Sequence, residues 1–225
     1  MSDSRELPLF PVNTVLFPGQ ALSLHIFEER YKLMINRCLE NDQPVGIVLI
    51  REGEEVGEPA TPHDVGTLAA ILETDRHESG EIDIIAVGRE RFVIHQLLQE
   101  RPYIVGQVEP LLPKGEDTPR SLALSMRARE LLPKYVRVLA QATGTLVQVV
   151  NAPEEPSEVA FLVALTLQIE HIERQGLLAT PDIGEMLAQE LTLLRREITI
   201  FDHMISTQSA LQEEAHDQFG HISLN

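Results

Sequence analysis

A chain of 225 residues, 43% of them hydrophobic, is long enough to bury one large core or two modest ones. Its net charge of −17 is spread over the whole length: the first 112 residues hold 9 basic and 19 acidic side chains, and the remainder hold 9 and 16. No basic patch relieves that surface and no apolar run reaches the ~20 residues that span a bilayer, so composition argues against nucleic acid and against membrane as partners.

The N-terminus, MSDSRELPLF, lacks the basic region and long apolar core of a signal peptide. Cys38 is the single cysteine, which leaves no intramolecular disulfide framework. Both features place the chain in the cytoplasm.

In chain order, Leu7-Pro-Leu-Phe-Pro-Val is short, apolar and proline-interrupted, which suits an edge strand. Phe17-Pro18-Gly19 is turn chemistry. Ala21 to Phe27 alternates as a strand, and Glu28 to Asn41 then switches to a helical period. There Tyr31, Met34, Ile35, Cys38 and Leu39 make one buried stripe. Strands follow at Val45–Ile50, Val65–Thr74, Ile82–Val87, Arg91–Leu97 and Tyr103–Val108, with a hairpin connection at Asp75 to Gly80. Such spacing predicts a barrel or sandwich over residues 6–112, with one inserted helix.

Leu111 to Asp117 gathers proline, glycine and charge and marks a boundary, after which the pattern is helical over residues 118–210. Thr118 is the expected N-cap of a helix running to about Thr143, with Pro133 imposing a kink or break. A strongly apolar helix is predicted from Pro156 to about Ile172, and a connection from Gly176 to Thr180. The last helix is expected to take Thr180 as its cap and Pro181 as its first residue. Ile183, Leu187, Leu191, Leu194, Ile198, Phe201 and Ile205 then form a near-heptad stripe, to be covered within a bundle or by self-association across a dimer. Residues 211–225 read as a polar, frayed tail.

The motifs of catalysis are missing. There is no G-x-x-x-x-G-K-[ST], no G-x-G-x-x-G and no G-x-S-x-G. Spacing does not decide a Ser–Lys dyad, whose members meet only in space, but Lys32, Lys114 and Lys134 are the only lysines and none reads as a buried base. Cys38 lies on the inward stripe of its helix, where a thiol acts as a small hydrophobe. His25 and His63 stand apart, and neither His171-Ile-Glu173 nor His216 with His221 has a zinc-ligand spacing. The reading is therefore no catalytic residue, no metal site and no cofactor.

One resemblance covers most of the chain. Leu7-Pro8-Leu9-Phe10-Pro11-Val12, Val15-Leu16-Phe17-Pro18-Gly19 and Leu24-His25-Ile26-Phe27-Glu28-Glu29-Arg30-Tyr31 resemble the opening of the Lon protease N-terminal domain. Val65-Gly66-Thr67-Leu68-Ala69, the segment Ile84 to Phe92, and Tyr103 to Pro110 are similar to that family's later strands. Leu177 to Asp182, with the leucine-rich helix after it, is similar to its helical continuation. The resemblance implies an α+β fold: a PUA-like pseudo-β-barrel with one inserted helix, followed by an α-helical bundle. In Lon this region recognises unfolded or damaged substrates and helps assemble the hexamer. With the ATPase and protease segments absent, the chain reads as a stand-alone, non-catalytic member that binds peptides or unfolded protein segments, as an adaptor in protein quality control.

An incomplete barrel edge can add an extended peptide strand. Phe17, Pro18, Gly19, Phe27 and Tyr31 lie where strand gives way to helix and are the expected peptide-facing residues. Against this stands packing, because Phe10, Phe17, Phe27 and Tyr31 are four of the ten aromatics within 22 residues. Two other classes stay open: a PUA-like module for RNA or a small ligand, which the charge disfavours for RNA, and a structural oligomer built on the Ile183–Ile205 stripe.

Overall fold

The computed structural model describes residues 4–55, 57, 60–98, 102–144 and 153–220, with side chains as far as Gln208. Among the described residues it is an α+β protein of six strands and five helices, which divide between two compact units. The first unit comprises Met1–Gly115 together with Gln168–Ile183, and the second comprises Glu116–Leu167 and Gly184–Asn225.

The first unit contains β1 (Arg5–Val12), β2 (Ala21–Ile26), α1 (Glu29–Glu40), β3 (Val45–Glu52), β4 (Thr61–Arg76), β5 (Ile82–Leu98) and β6 (Val105–Pro110). The strands order as β2-β5-β4-β3-β1-β6, and a further β5–β6 pairing closes β1, β3, β4, β5 and β6 into a ring. All pairs are antiparallel except β1 with β3. Closure gives each of those five strands two neighbours, so none of them is a free edge along its whole length.

The bore of the ring is narrow. Leu7, Leu9, Val48, Leu68, Phe92 and Val108 form one buried cluster. Glycines make room for it: a Cβ on Gly46 or Gly66 would stand within 3 Å of the Phe92 ring, and one on Gly106 within 3 Å of Leu9. A second cluster joins the α1 stripe Tyr31, Met34, Ile35 and Cys38 to Phe10, Val12, Ile26, Ile47, Ile82 and Ile84. From Leu7 on, β1 is thus buried on both faces, which accounts for the apolar character of Leu7–Val12.

Three local expectations are corrected here. β1 is not an edge strand. It pairs with β6 over Arg5–Pro8 and with β3 over Leu9–Val12. By trading partners midway, it leaves each half one unpaired side that can take a proline's missing N–H. Ile82–Val87 and Arg91–Leu97 are one strand and not two. β5 passes through a register shift between Gly88 and Glu90, pairing with β2 before it and with β6 after it.

The third correction concerns Gly176 to Thr180, expected as a connection. The predicted 156–172 helix ends at Leu167, and α4 (His171–Ala179) runs through Gly176. Glycine inside a helix costs about 0.5–1 kcal/mol relative to alanine, and anchoring of α4 to the first unit outweighs it. Arg91 Nη1 donates to Leu178 O and Thr180 O at 3.0 and 2.7 Å. Gln175 Nε2 donates to Val65 O at 3.0 Å, and Arg174 donates to Val15 O at 3.4 Å. α4 therefore belongs with the barrel, so the helices of residues 118–210 do not form one uninterrupted unit.

In the second unit, α2 (Pro119–Thr143) begins where expected. Thr118 accepts from the Ser121 N–H at 3.1 Å, and Gly144 ends the helix in a left-handed conformation. Pro133 is on its exposed side and the helix continues without a break. α3 (Pro156–Thr166) has no cap of its own, and the Glu116 carboxylate accepts the Ser157 N–H at 3.1 Å and the Ser157 hydroxyl. α5 (Ile183–Gly220) starts three residues after Thr180; within the first unit, Lys114 N–H donates to Pro181 O at 2.8 Å and Ile183 N–H donates to Lys114 O at 2.9 Å, which holds residues 181–183 in an extended link. Its stripe is buried through Ile198, with Phe201 and Ile205 half-buried, and the Tyr135 and Phe201 rings lie 6.1 Å apart. The helix backbone extends to Gly220, past the residue where fraying was expected.

Candidate functional site

Of the five residues expected to face a peptide, the structure places only some at the surface. Phe17 is fully buried, its ring capped by the Arg174 guanidinium at 5.2 Å. Tyr31 is buried and stacked on Phe10 with ring centroids 4.4 Å apart. Both serve packing in the folded chain. Pro18 and Gly19 shape a type II turn. Gln20 N–H donates to Phe17 O at 3.1 Å, Pro18 fills the second position, and Gly19 adopts φ +83°. Phe27 alone has an exposed ring, 46% accessible.

Phe27 directly follows β2, which among the described residues is the one strand outside the closed ring. Among the described residues β2 pairs only with β5, so its other side carries unpaired backbone donors and acceptors at alternate residues. Leu22, Leu24 and Ile26 pack inward, and Ala21, Ser23 and His25 are exposed.

Beside this edge lies an open concavity of about 510 Å³, lined by β2, β4 and β5. Register sets its floor. Ser23 is opposite Ile85, which is opposite Glu73; His25 is opposite Asp83, which is opposite Asp75. Two carboxylates directly across a strand pair repel, so Asp75 and Asp83 favour a cationic or hydrogen-donating neighbour. His25 Nδ1–H donates to Asp83 Oδ1 at 2.6 Å, and His77 Nε2–H donates to Asp83 Oδ2 at 2.7 Å. These bonds hold the Asp83 carboxyl below its ordinary range, His25 contributing most. The hydrogen bond to Asp83 raises His77 above the ordinary histidine value.

The His25–His77–Asp83 group was not legible beforehand, because His25 and Asp83 are 58 residues apart and only the β2–β5 register joins them. It departs from the reading of scattered histidines. As expected of an inward thiol, Cys38 is buried, and burial pushes its pKa up to about 11. Among the described residues no helix is long and apolar enough to cross a membrane.

Comparison with known proteins agrees with the architecture. Residues 6–196 match the model of the ATP-dependent protease La (LON) substrate-binding domain. The chain is 26% identical over 211 residues to Lon protease 2 of Myxococcus xanthus, covering 92% of this chain and 26% of that protein. It is 29% identical over 215 residues to Lon protease 2 of Herpetosiphon aurantiacus, covering 93% and 26%. The chain thus spans about a quarter of the length of these curated relatives. Among solved structures, the Lon N-terminal domain protein from Xanthomonas campestris is similar at a TM-score of 0.63 with 25% identity, covering 84% of this chain and 98% of that one. The N-terminal domain of the Mycobacterium avium complex Lon protease shares the fold at a TM-score of 0.66 with 19% identity, covering 85% and 98%. With a match over most of its length, this chain belongs to the Lon substrate-binding domain family.

Proposed function

We infer that this protein is a non-catalytic binding module that captures extended segments of unfolded or damaged polypeptide by adding them as a strand to the free edge of β2. The observation that carries the reading is the one-sided pairing of β2 beside an open groove. An added strand would satisfy the outward backbone groups of Ala21–Ile26 whatever its sequence, which suits a receptor for many substrates. Preference would come from the flanks. Phe27 offers an aromatic face at the end of the edge, and Glu73, Asp75 and Asp83 give the groove a negative field. Segments that mix apolar residues with lysine or arginine are the expected ligands, and phosphate-bearing ones are disfavoured. As an adaptor in quality control, such a module would hold its ligand without altering it.

The test is photo-crosslinking to unfolded casein, with a photoreactive residue at Ser23 in one protein and at the exposed Met126 of α2 in another. Crosslinks from position 23 that are competed by unlabelled casein are expected. Crosslinks from position 126 alone would move the site elsewhere, and cleavage of casein, with or without ATP, would overturn the non-catalytic reading.

A further inference from the structure

We propose that His25, His77 and Asp83 form a binding site for a divalent transition-metal ion of the zinc type, at the junction of β2 with the β4–β5 hairpin. One ligand atom from each residue lies within 4.8 Å of the others, so a single ion placed among them can reach all three after small side-chain adjustments. The residues arrive from separate places. His25 stands on β2 opposite Asp83 of β5, and His77 opens the turn between β4 and β5. That turn is closed by His77 N–H donating to Glu81 O at 3.0 Å and Gly80 N–H donating to His77 O at 2.9 Å, with Gly80 at φ +85°. The backbone therefore fixes all three side-chain origins before any ion arrives.

Two surroundings point to a cation and not merely to an ion pair. Glu81 Oε2 lies 3.8 Å from His25 Nε2, on the nitrogen remote from Asp83. That oxygen accepts the Ser79 hydroxyl at 3.0 Å and is not hydrogen-bonded to the ring, but an approach of about 1 Å would make it the carboxylate that orients and strengthens an imidazole ligand. Asp75 faces Asp83 across the strand pair, so the site carries more negative charge than two histidines neutralise. The nearby Lys32 is engaged by Glu29 at 2.9 Å.

Two imidazoles with one carboxylate favour zinc, cobalt or nickel over calcium or magnesium, which take oxygen ligands. In the ion-free state both imidazoles donate N–H to Asp83. On binding, each neutral ring gives its coordinating nitrogen's lone pair to the metal and carries its proton on the other nitrogen. In His25 that is Nε2, facing Glu81. Protons compete with the ion for the ring nitrogens, so affinity falls in acid. Water completes the coordination. The ion would clip the edge strand to the hairpin, an effect that does not depend on peptide capture.

The test is calorimetric titration of the chelator-treated full chain with zinc chloride, paired with cobalt chloride monitored by visible absorption. One-to-one binding is expected, together with a cobalt spectrum of low coordination number. His25→Ala and His77→Ala should each weaken binding by about tenfold or more, and His95→Ala, at a histidine of β5 outside the cluster that pairs with Glu109 at 3.0 Å, should leave it unchanged. Zinc should raise the melting temperature of the parent and of His95→Ala but not of the His25→Ala/His77→Ala protein, with circular dichroism confirming that each is folded. Absence of saturable one-to-one binding, or its persistence in the double variant, would overturn the site. Neither readout involves a peptide, so this failure and failure of peptide capture are separable.

Discussion

Glu190 is the residue at which α5 breaks the ordinary rule for charged side chains. It is fully buried, and among the described residues neither carboxylate oxygen has a hydrogen-bond partner. Burial raises its pKa well above the usual carboxylate value. The folded state therefore holds this proton more tightly than the unfolded state does. Its contribution to stability is fully present below the unfolded pKa, near 4.5, and is lost as pH rises through the folded value. Glu190→Met, which keeps the volume and removes the polar group, is expected to stabilise the protein at neutral pH by about 1–3 kcal/mol. It should also flatten the pH dependence, as read by urea denaturation across a pH series. An unchanged midpoint would mean that Glu190 meets its proton or partner by another route.

At the scale of elements, α4 shows how a short helix is held by a few polar contacts. The Arg91 guanidinium is buried, and burial lowers its pKa to about 10. It is satisfied in part by two carbonyls at the C-terminal end of α4, where the helix dipole also favours a cation. Arg91→Leu leaves those carbonyls without this donor and should destabilise the barrel unit by about 2–3 kcal/mol. Hydrogen exchange should quicken first at residues 171–179, ahead of the strands. Uniform acceleration across the barrel would instead mark Arg91 as a core packing residue. The same scale explains Gly88. A Cβ there would stand 2.4 Å from Phe17 O, so β5 can pass the turn at residues 17–20 only with glycine. Gly88→Ala is expected to cost about 1–3 kcal/mol, read by thermal melting.

At the scale of the whole molecule, the first unit is discontinuous, since Gln168–Ile183 returns to Met1–Gly115. A fragment comprising residues 1–115 lacks the Arg174 cap over Phe17 and the helix carbonyls that Arg91 meets. Its melting temperature should lie about 10 °C or more below that of the full chain, with apolar surface exposed to a hydrophobic dye. An equal melting temperature would show that the strands alone carry this unit. The stripe on α5 is buried within the chain as far as Ile198, so self-association through it would rest on the half-buried Phe201 and Ile205 with the exposed Ile200 and Met204.

Elements whose signals are local are legible in the amino-acid order alone. The α1 stripe, the Thr118–Pro119 start of α2, the Phe17–Pro18–Gly19 turn and the α5 heptads each rest on period, cap or dihedral chemistry within a few residues. The family was legible for the same reason, since order and spacing of motifs are written along the chain, and the family model matches residues 6–196. Tertiary structure decided what depends on distant partners. Closure of the ring moved β1 from edge to interior, and carbonyls 87 and 89 residues from Arg91 turned a glycine-bearing connection into α4. Register across β2, β5 and β4 gathered His25, His77 and Asp83. Burial took Phe17 and Tyr31 into the core and left Phe27 beside the open strand. A side chain's type is local, but the face it presents follows from strand pairing, which no single segment specifies.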